Sequence, residues 1–335
     1  MPYGVTGISI PVLAYAGGIR NQEIKHSRII ASLDNAPLLC YHGVMLVTFW
    51  GTRGSIPVPG PSTIRYGGNT PCVSVRLASG PLLVLDAGTG IRALGNAPEM
   101  STECSFALLL SHGHWDHIQG FPFFAPGYRD TCRIQVFGGP GGTNCLKQLL
   151  RNQMEHSYFP VQFEQLQAQV EFDEIYDDWK QIGSARVRAF PLRHTGVGWG
   201  FRIEEGPEAG GGVIVYLTDN ELTPGSPDWD FYRDICRGAD LLIHDAQYLD
   251  HEMPLREGWG HSSGRDATSL AIEAGCKRLA LFHHDPDRSD DSIDALTADC
   301  RAQAILTRST LEIFAAAEAQ SFEISGAIQE PRKTP

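Results

Sequence analysis

The sequence holds no Cys-x-x-Cys pair, no internal repeat at solenoid periods and no low-complexity tract. Nor does any apolar run reach the roughly 18 residues that a membrane span needs. Its eight cysteines lie far apart, several among core-like residues as in "AGCKRLALF". They read as reduced, buried thiols of a cytoplasmic protein, which excludes a disulfide frame and a zinc knuckle. Positive charge is also scarce: 27 Lys and Arg stand against 39 Asp and Glu, a formal net charge of −12. Such a chain repels a long phosphate backbone unless its basic residues gather on one face, whereas small anionic ligands remain open to it. The mildly apolar stretch from Val5 to Gly18 has no basic residue before it and is not read as a secretory signal.

What is present is an ordinary globular composition, 42% hydrophobic and 20% charged, with residues enough for one large domain and appendages. Residues 1–44 lack clean periodicity and are expected to be an N-terminal extension of unclear role; residues 45–325 form the domain; 326–335 read as a flexible tail. "MLVTFWGTRGS" predicts a strand that ends in a glycine turn, and "CVSVRLASGPLLVLDAGTG" predicts two short strands, the second closing on Asp86. "SFALLLS" predicts a buried strand. "ARVRAFP", "GWGFRIEE", "GGVIVYLTD" and "ADLLIHDAQY" predict four more, and "RLALF" another, after a helix capped by Ser262 or Ser263. "GGTNCLKQLLRNQM" reads as a helix, and a further helix from about Asp290 precedes a hairpin-like "LEIFAAAEAQSFEIS". The fold class is α/β.

One stretch carries the chemistry. In "LLLSHGHWDHIQG" a strand delivers His112, His114, Asp116 and His117 into a loop, imidazole and carboxylate donors suited to zinc or a similar first-row metal. Matching donors recur at later strand ends: His194 in "PLRHTG", Asp219 in "YLTDN" and His283 in "LALFHHD". Three histidines and one carboxylate (His112, His114, His194, Asp219) would hold a first ion. Asp116, His117 and His283 would hold a second, with Asp219 bridging. His284 stands beside His283 as a rival for the same place, and His26, His42 and His251 have no pattern around them.

"SHGHWDH" resembles the His-x-His-x-Asp-His signature of the metallo-β-lactamase superfamily, and His194, Asp219 and His283 resemble its later ligand motifs. The resemblance implies an αββα sandwich, two packed mixed sheets flanked by helices with the metals at one edge, and it makes Asp86 a support for the ligand loop. "LLIHDAQY" and "WGHSS" resemble the His-Glu-Ala-Thr and His-Ser-Thr motifs of the ribonuclease Z group, with aspartate where glutamate is usual. "WGTRGS" and "HTGVGWGFRIE" resemble segments of that group and of the related phosphonate-pathway cyclic phosphodiesterase.

By that likeness Asp245 would hold His261 as a cation fit for general-acid work, and the catalytic side chains are Asp116, Asp245 and His261. The cofactors are two divalent ions, zinc first and manganese second. The expected reaction is hydrolysis of a small phosphodiester such as a cyclic nucleotide, by a metal-bridging hydroxide with a histidine general acid. Ribonuclease Z grips tRNA with a long basic arm after the third ligand motif. The segment here between His194 and Asp219 is short and acidic, so no long nucleic acid and no membrane are expected as partners, and a homodimer is the expected assembly. Phe121, Phe123, Phe124, Tyr158 and Phe159 are candidates to stack on a base, His156 and Arg65 to meet a phosphate. The alternatives are a thioester- or lactone-type metallohydrolase of the same fold and a non-catalytic nucleotide-binding protein. A redox di-iron centre ranks last, because that branch has glutamate where His114 stands.

Overall fold

The structure, a computed structural model, describes residues 44–176 and 178–325. The expected N-terminal extension, save Val44, and the expected tail lie outside the described residues.

Two seven-stranded sheets form the centre. The first contains β1 (Met45–Gly51), β2 (Cys72–Arg76), β3 (Leu82–Leu85), β4 (Ser105–Leu109), β5 (Arg133–Gly138) and β6 (Gln169–Glu174). The second contains β7 (Lys180–Ile182), β8 (Ala185–Pro191), β9 (Trp199–Glu205), β10 (Val213–Leu217), β11 (Leu241–Asp245), β12 (Arg278–Phe282) and β13 (Glu312–Ala315), and the chain then returns to the first sheet as β14 (Ser321–Ile324). Strands β3 to β6 run parallel, as do β10 to β13. Their sequences show why: "LLVL", "FALL", "LLIHD" and "LALF" are buried on both faces, as parallel strands with a layer on either side must be. Strand β1 instead alternates buried and half-buried residues.

Three apolar cores make four layers. Phe49, Val75, Leu85, Phe201, Tyr216, Ile243 and Phe282 fill the space between the sheets. Helices α1 (Gly90–Gly95) and α3 (Thr143–Asn152) cover the first sheet over Ile91, Leu94 and Leu150. Helices α4 (Pro227–Cys236), α5 (Gly264–Glu273) and α6 (Asp290–Leu306) cover the second over Tyr232, Leu270 and Leu296. A short α2 (Trp115–Ile118) lies in the ligand loop. Two packed mixed sheets flanked by helices are the αββα sandwich that the motifs implied. Among the described residues no helix is long and apolar enough to cross a membrane.

Two expectations need correction. "LEIFAAAEAQSFEIS" makes no hairpin: β13 pairs in parallel with β12, while β14 pairs antiparallel with β1 in the other sheet. The segment crosses the sandwich, and Phe314 and Phe322 stack at 4.3 Å across the gap, Phe314 buried in the central core and Phe322 half-buried against it. The aromatic-rich middle also hides strands β5 and β6, which extend the parallel run beyond β4. The described cysteines are unpaired as expected, though Cys104 and Cys145 are exposed rather than buried.

Candidate metal centre and active site

The donors and their closest supports hang from the C-terminal ends of strands at one edge of the sandwich, and His261 joins them from the loop that precedes α5. Asp86 follows β3; Ser111 to His117 follow β4; His194 follows β8; Asp219 follows β10; Asp245 ends β11; His283 follows β12. Three of these residues, Asp86, Asp219 and His283, have positive φ values of 60°, 52° and 56°. Aspartate and histidine enter the left-handed region more readily than most residues, and doing so turns the chain sharply enough to face the side chain into the cluster.

Two groups of donors result. His112, His114, His194 and Asp219 form one; Asp116, His117, Asp219 and His283 form the other, with the donor atoms of each group within 4.8 Å of one another. Asp219 belongs to both. In the first group His114 Nδ1 lies 3.0 Å from the Nε2 of His112 and also 3.0 Å from the Nε2 of His194. Three ring nitrogens facing one another this closely are placed to share one cation. In the second group Asp116 Oδ2 lies 3.1 Å from His283 Nε2 and 3.3 Å from His117 Nε2, which is buried without a hydrogen-bond partner. An orphaned imidazole nitrogen and converging carboxylates fit divalent cations.

The electrostatics agree. Burial pushes the Asp219 carboxyl up, yet the imidazoles around it, His283 and His117 foremost, hold it well below the usual carboxylate range. Burial opposes a charge on His117, but Asp116, Asp219 and Asp86 together lift it well above an ordinary imidazole. A pocket that raises a buried imidazole in this way favours positive charge.

Behind the donors stands a layer of fixed partners. Asp86 accepts from the backbone N–H of Ser111 at 2.7 Å and from the Tyr216 hydroxyl at 2.8 Å, and its Oδ2 lies 2.8 Å from His117 Nδ1. His283 Nδ1 is 2.9 Å from Gln247 Oε1, and His194 Nδ1 is 3.0 Å from the Gly260 carbonyl. Each contact reserves Nε2 for the cluster. Ser55 donates its backbone N–H to Asp116 at 2.7 Å, and Gly54 lies so close to the His283 ring that a Cβ there would approach it to 2.3 Å. Buried Arg53 ties that loop to the carbonyls of Gly67, Asp285 and Arg288. In "GTRGS" the sequence had shown a glycine turn; the arginine inside it is the fastener.

His283 is the member of the cluster, and His284 turns away to the Ala316 carbonyl at 2.9 Å. The His261 ring stacks on His283 at 5.1 Å and meets His194 edge-on at 5.3 Å, so it borders both donor groups. Its Nδ1 lies 3.5 Å from Asp245 Oδ2, longer than a good hydrogen bond, because the Asp245 carboxylate is already engaged by the backbone N–H groups of Asn220 and Ser262. Burial pulls the His261 pKa down, but Asp245, Asp219 and Asp116 outweigh it and the net direction is up. His244, on the opposite side of β11, is fully buried and donates from Nδ1 to the Asp245 carbonyl.

The aromatic candidates divide. Phe121 and Phe124 are core residues, 2% exposed, because the short turns after α2 direct them onto the first sheet. Phe123 and Tyr158 are exposed. Arg65 is engaged by Asp290, Asp291 and Asp294 on α6, so it is not a free phosphate ligand; His156 is exposed. The sequence reading passed over two exposed tryptophans inside the motifs themselves, Trp115 beside His114 (72% exposed) and Trp259 beside Gly260 (52% exposed). An exposed indole adjoining a ligand was the available signal. The Arg256 guanidinium lies 4.5 Å over the Trp259 ring.

Comparison with known proteins agrees with this geometry. Ribonuclease Z of Brevibacillus brevis is 26% identical over 305 residues, 78% of this chain and 91% of that protein. The short form of human tRNase Z superposes with a TM-score of 0.59 at 21% identity, over 84% of this chain and all of that one. A diphosphatase from the PhnP family superposes with a TM-score of 0.58 at 19% identity, over 84% of this chain and 99% of that one. Residues 83–284, more than half the chain, match the beta-lactamase superfamily domain, and with its paired His and Asp clusters the chain belongs to that superfamily as a metal-dependent hydrolase.

Proposed function

We propose that the protein hydrolyses a small phosphodiester, with cyclic nucleotides the first substrates to test. The observation that carries this reading is the placement of His261, backed by Asp245, against both donor groups. Thioester and lactone hydrolysis on the same cluster needs no such acid. Two divalent cations, zinc by the nitrogen-rich donor set, would supply a deprotonated water near neutral pH and neutralise charge on the phosphoryl oxygens.

The chain does the rest. His112, His114 and His194 would hold one cation and Asp116, His117 and His283 the other, with Asp219 common to both groups. Asp86, Gln247 and Gly260 fix the imidazole tautomers. His261, with Nδ1 on the Asp245 side, offers Nε2–H to the departing oxygen, and that proton leaves with the alcohol. Trp115 and Trp259 offer flat apolar surface beside the cluster for a nucleobase. Strands β9 and β10 are joined by residues 206–212 alone, with Glu208 and no basic residue in the link. There is no arm there for tRNA, and with the net charge of −12 this favours a small substrate. Unpaired cysteines suit a cytoplasmic setting.

The test is hydrolysis by zinc- and manganese-loaded protein of cyclic mononucleotides, bis(p-nitrophenyl) phosphate, a precursor tRNA, a thioester and a lactone. Turnover of the cyclic mononucleotides or bis(p-nitrophenyl) phosphate, with the precursor tRNA, thioester and lactone left intact, supports the reading, and cleavage of the precursor tRNA rejects the small-substrate part of it. Turnover of the thioester or lactone alone rejects it, and intact cyclic nucleotide recovered from a stable complex would favour a binding protein.

A further inference from the structure

Glu221 is a carboxylate that no step above uses, and it is 4% exposed. It lies two residues after Asp219, where the chain leaves the cluster. Its Oε1 accepts the backbone N–H of Gly258 at 3.1 Å and its Oε2 that of Gly260 at 2.9 Å. Both glycines have positive φ, 82° and 84°, so their two amides converge on one anion. Gly260 must be glycine on a second ground: a Cβ there would fall 2.0 Å from His194 Nδ1.

The contacts close a circuit. The Glu221 backbone N–H donates to the Arg193 carbonyl at 2.8 Å; His194 follows Arg193 and donates from Nδ1 to the Gly260 carbonyl at 3.0 Å; Gly260 N–H returns to Glu221. His261 is the next residue. Asn220 adds a parallel tie, its Oδ1 accepting from Arg193 N–H at 2.9 Å and its own N–H donating to Asp245 at 3.0 Å. Arg193, whose guanidinium lies 3.9 Å from Glu221, lines a cleft of about 320 Å³ with His194, Glu221 and Gly260.

We infer that Glu221 is a positioning residue: by clamping the amides of Gly258 and Gly260 it sets the register of the loop that carries His261 and orients His194 through the Gly260 carbonyl. One buried carboxylate thereby couples the third histidine ligand to the acid. The kinetic part of this inference rests on the phosphodiesterase reading; the structural part does not.

The experiment compares Glu221→Ala and Glu221→Gln with the wild type in three measurements. Hydrogen exchange by mass spectrometry should accelerate in the peptide spanning 256–262, confined to that loop, in Glu221→Ala. Zinc affinity should weaken by about 10-fold, as it does when a partner of a ligating histidine is lost. For an alkyl-leaving phosphodiester, kcat/KM should fall about 10²-fold, the scale of a misplacement of about 1 Å, and clearly less for bis(p-nitrophenyl) phosphate, whose leaving group needs little protonation. Glu221→Gln keeps the shape and one acceptor oxygen, so it should fall between wild type and Ala in each, and it serves if the Ala variant does not fold. Unchanged exchange in 256–262 would overturn the clamp, and equal losses on both esters would overturn its link to His261. A wild-type protein inactive on both esters would instead sink the phosphodiesterase reading, with exchange and zinc affinity still deciding the clamp.

Discussion

The two donor groups share Asp219 but are built differently. In the group of Asp116, His117 and His283 every member is buried, and each is held from behind, by Ser55 N–H, Asp86 and Gln247. In the group of His112, His114 and His194, His114 is exposed, and its contacts are with the other two imidazoles. The Asp116 group is preorganised by the protein throughout, whereas the other, with His112 held by Ser111 and His194 by the Gly260 carbonyl, would complete its geometry at His114 with the ion. Preorganisation should therefore show as tighter binding at the buried position.

The largest effect tests what the groups share. Asp219→Ala should remove both ions and reduce hydrolysis to the uncatalysed level, read by metal content and turnover together; one retained ion would mean that the groups are independent. Next, His261→Ala should keep both ions and lose about 10²–10⁴-fold on alkyl-leaving phosphodiesters, with a smaller loss on bis(p-nitrophenyl) phosphate. The comparison itself is sharpened by His114→Ala, expected to drop metal content from two ions to one. Asp86→Ala strikes the buried group instead: it leaves Ser111 N–H and the Tyr216 hydroxyl unpaired in the core, and should cost about 1–3 kcal/mol of stability and weaken metal binding about 10–100-fold.

The smallest effect concerns His284. Burial, opposed by its contact with the Ala316 carbonyl, brings its pKa down to about 3. Between the unfolded value near 6.5 and about 3 the unfolded chain binds a proton that the folded chain refuses, so this contribution is intact at neutral pH and is lost as pH falls through that window. His284→Gln should flatten the pH dependence of urea-unfolding free energy there by up to one proton. An unchanged slope would remove His284 as its source.

Much of the site was legible because its residues sit in short motifs at strand ends, where order along the chain maps onto one edge of the sandwich. The motifs named the donors, and the layering followed from apolar runs such as "LLVL" and "RLALF". What stayed hidden depends on direction rather than identity. "GFPFF" gives no sign that Phe121 and Phe124 point into a core while Phe123 points out. "LEIFAAAEAQSFEIS" has the alternation of a hairpin, and only the partners waiting in β12 and β1 divide it between two sheets. Gln247 and Glu221 were invisible for another reason: each acts by meeting one or two atoms of a loop distant in sequence. The choice between His283 and His284 fell to backbone, since His283 takes the left-handed turn that swings its ring into the cluster.

Four of the cluster's side chains descend from the first sheet and three from the second, so each half of the sandwich offers an incomplete claw. The cations would then be rivets in a seam, and by mass action the cohesion of that edge would follow the metal supply of its surroundings. Starved of metal, the chain would retain its three apolar cores but lose those ties between the two sheets along that edge.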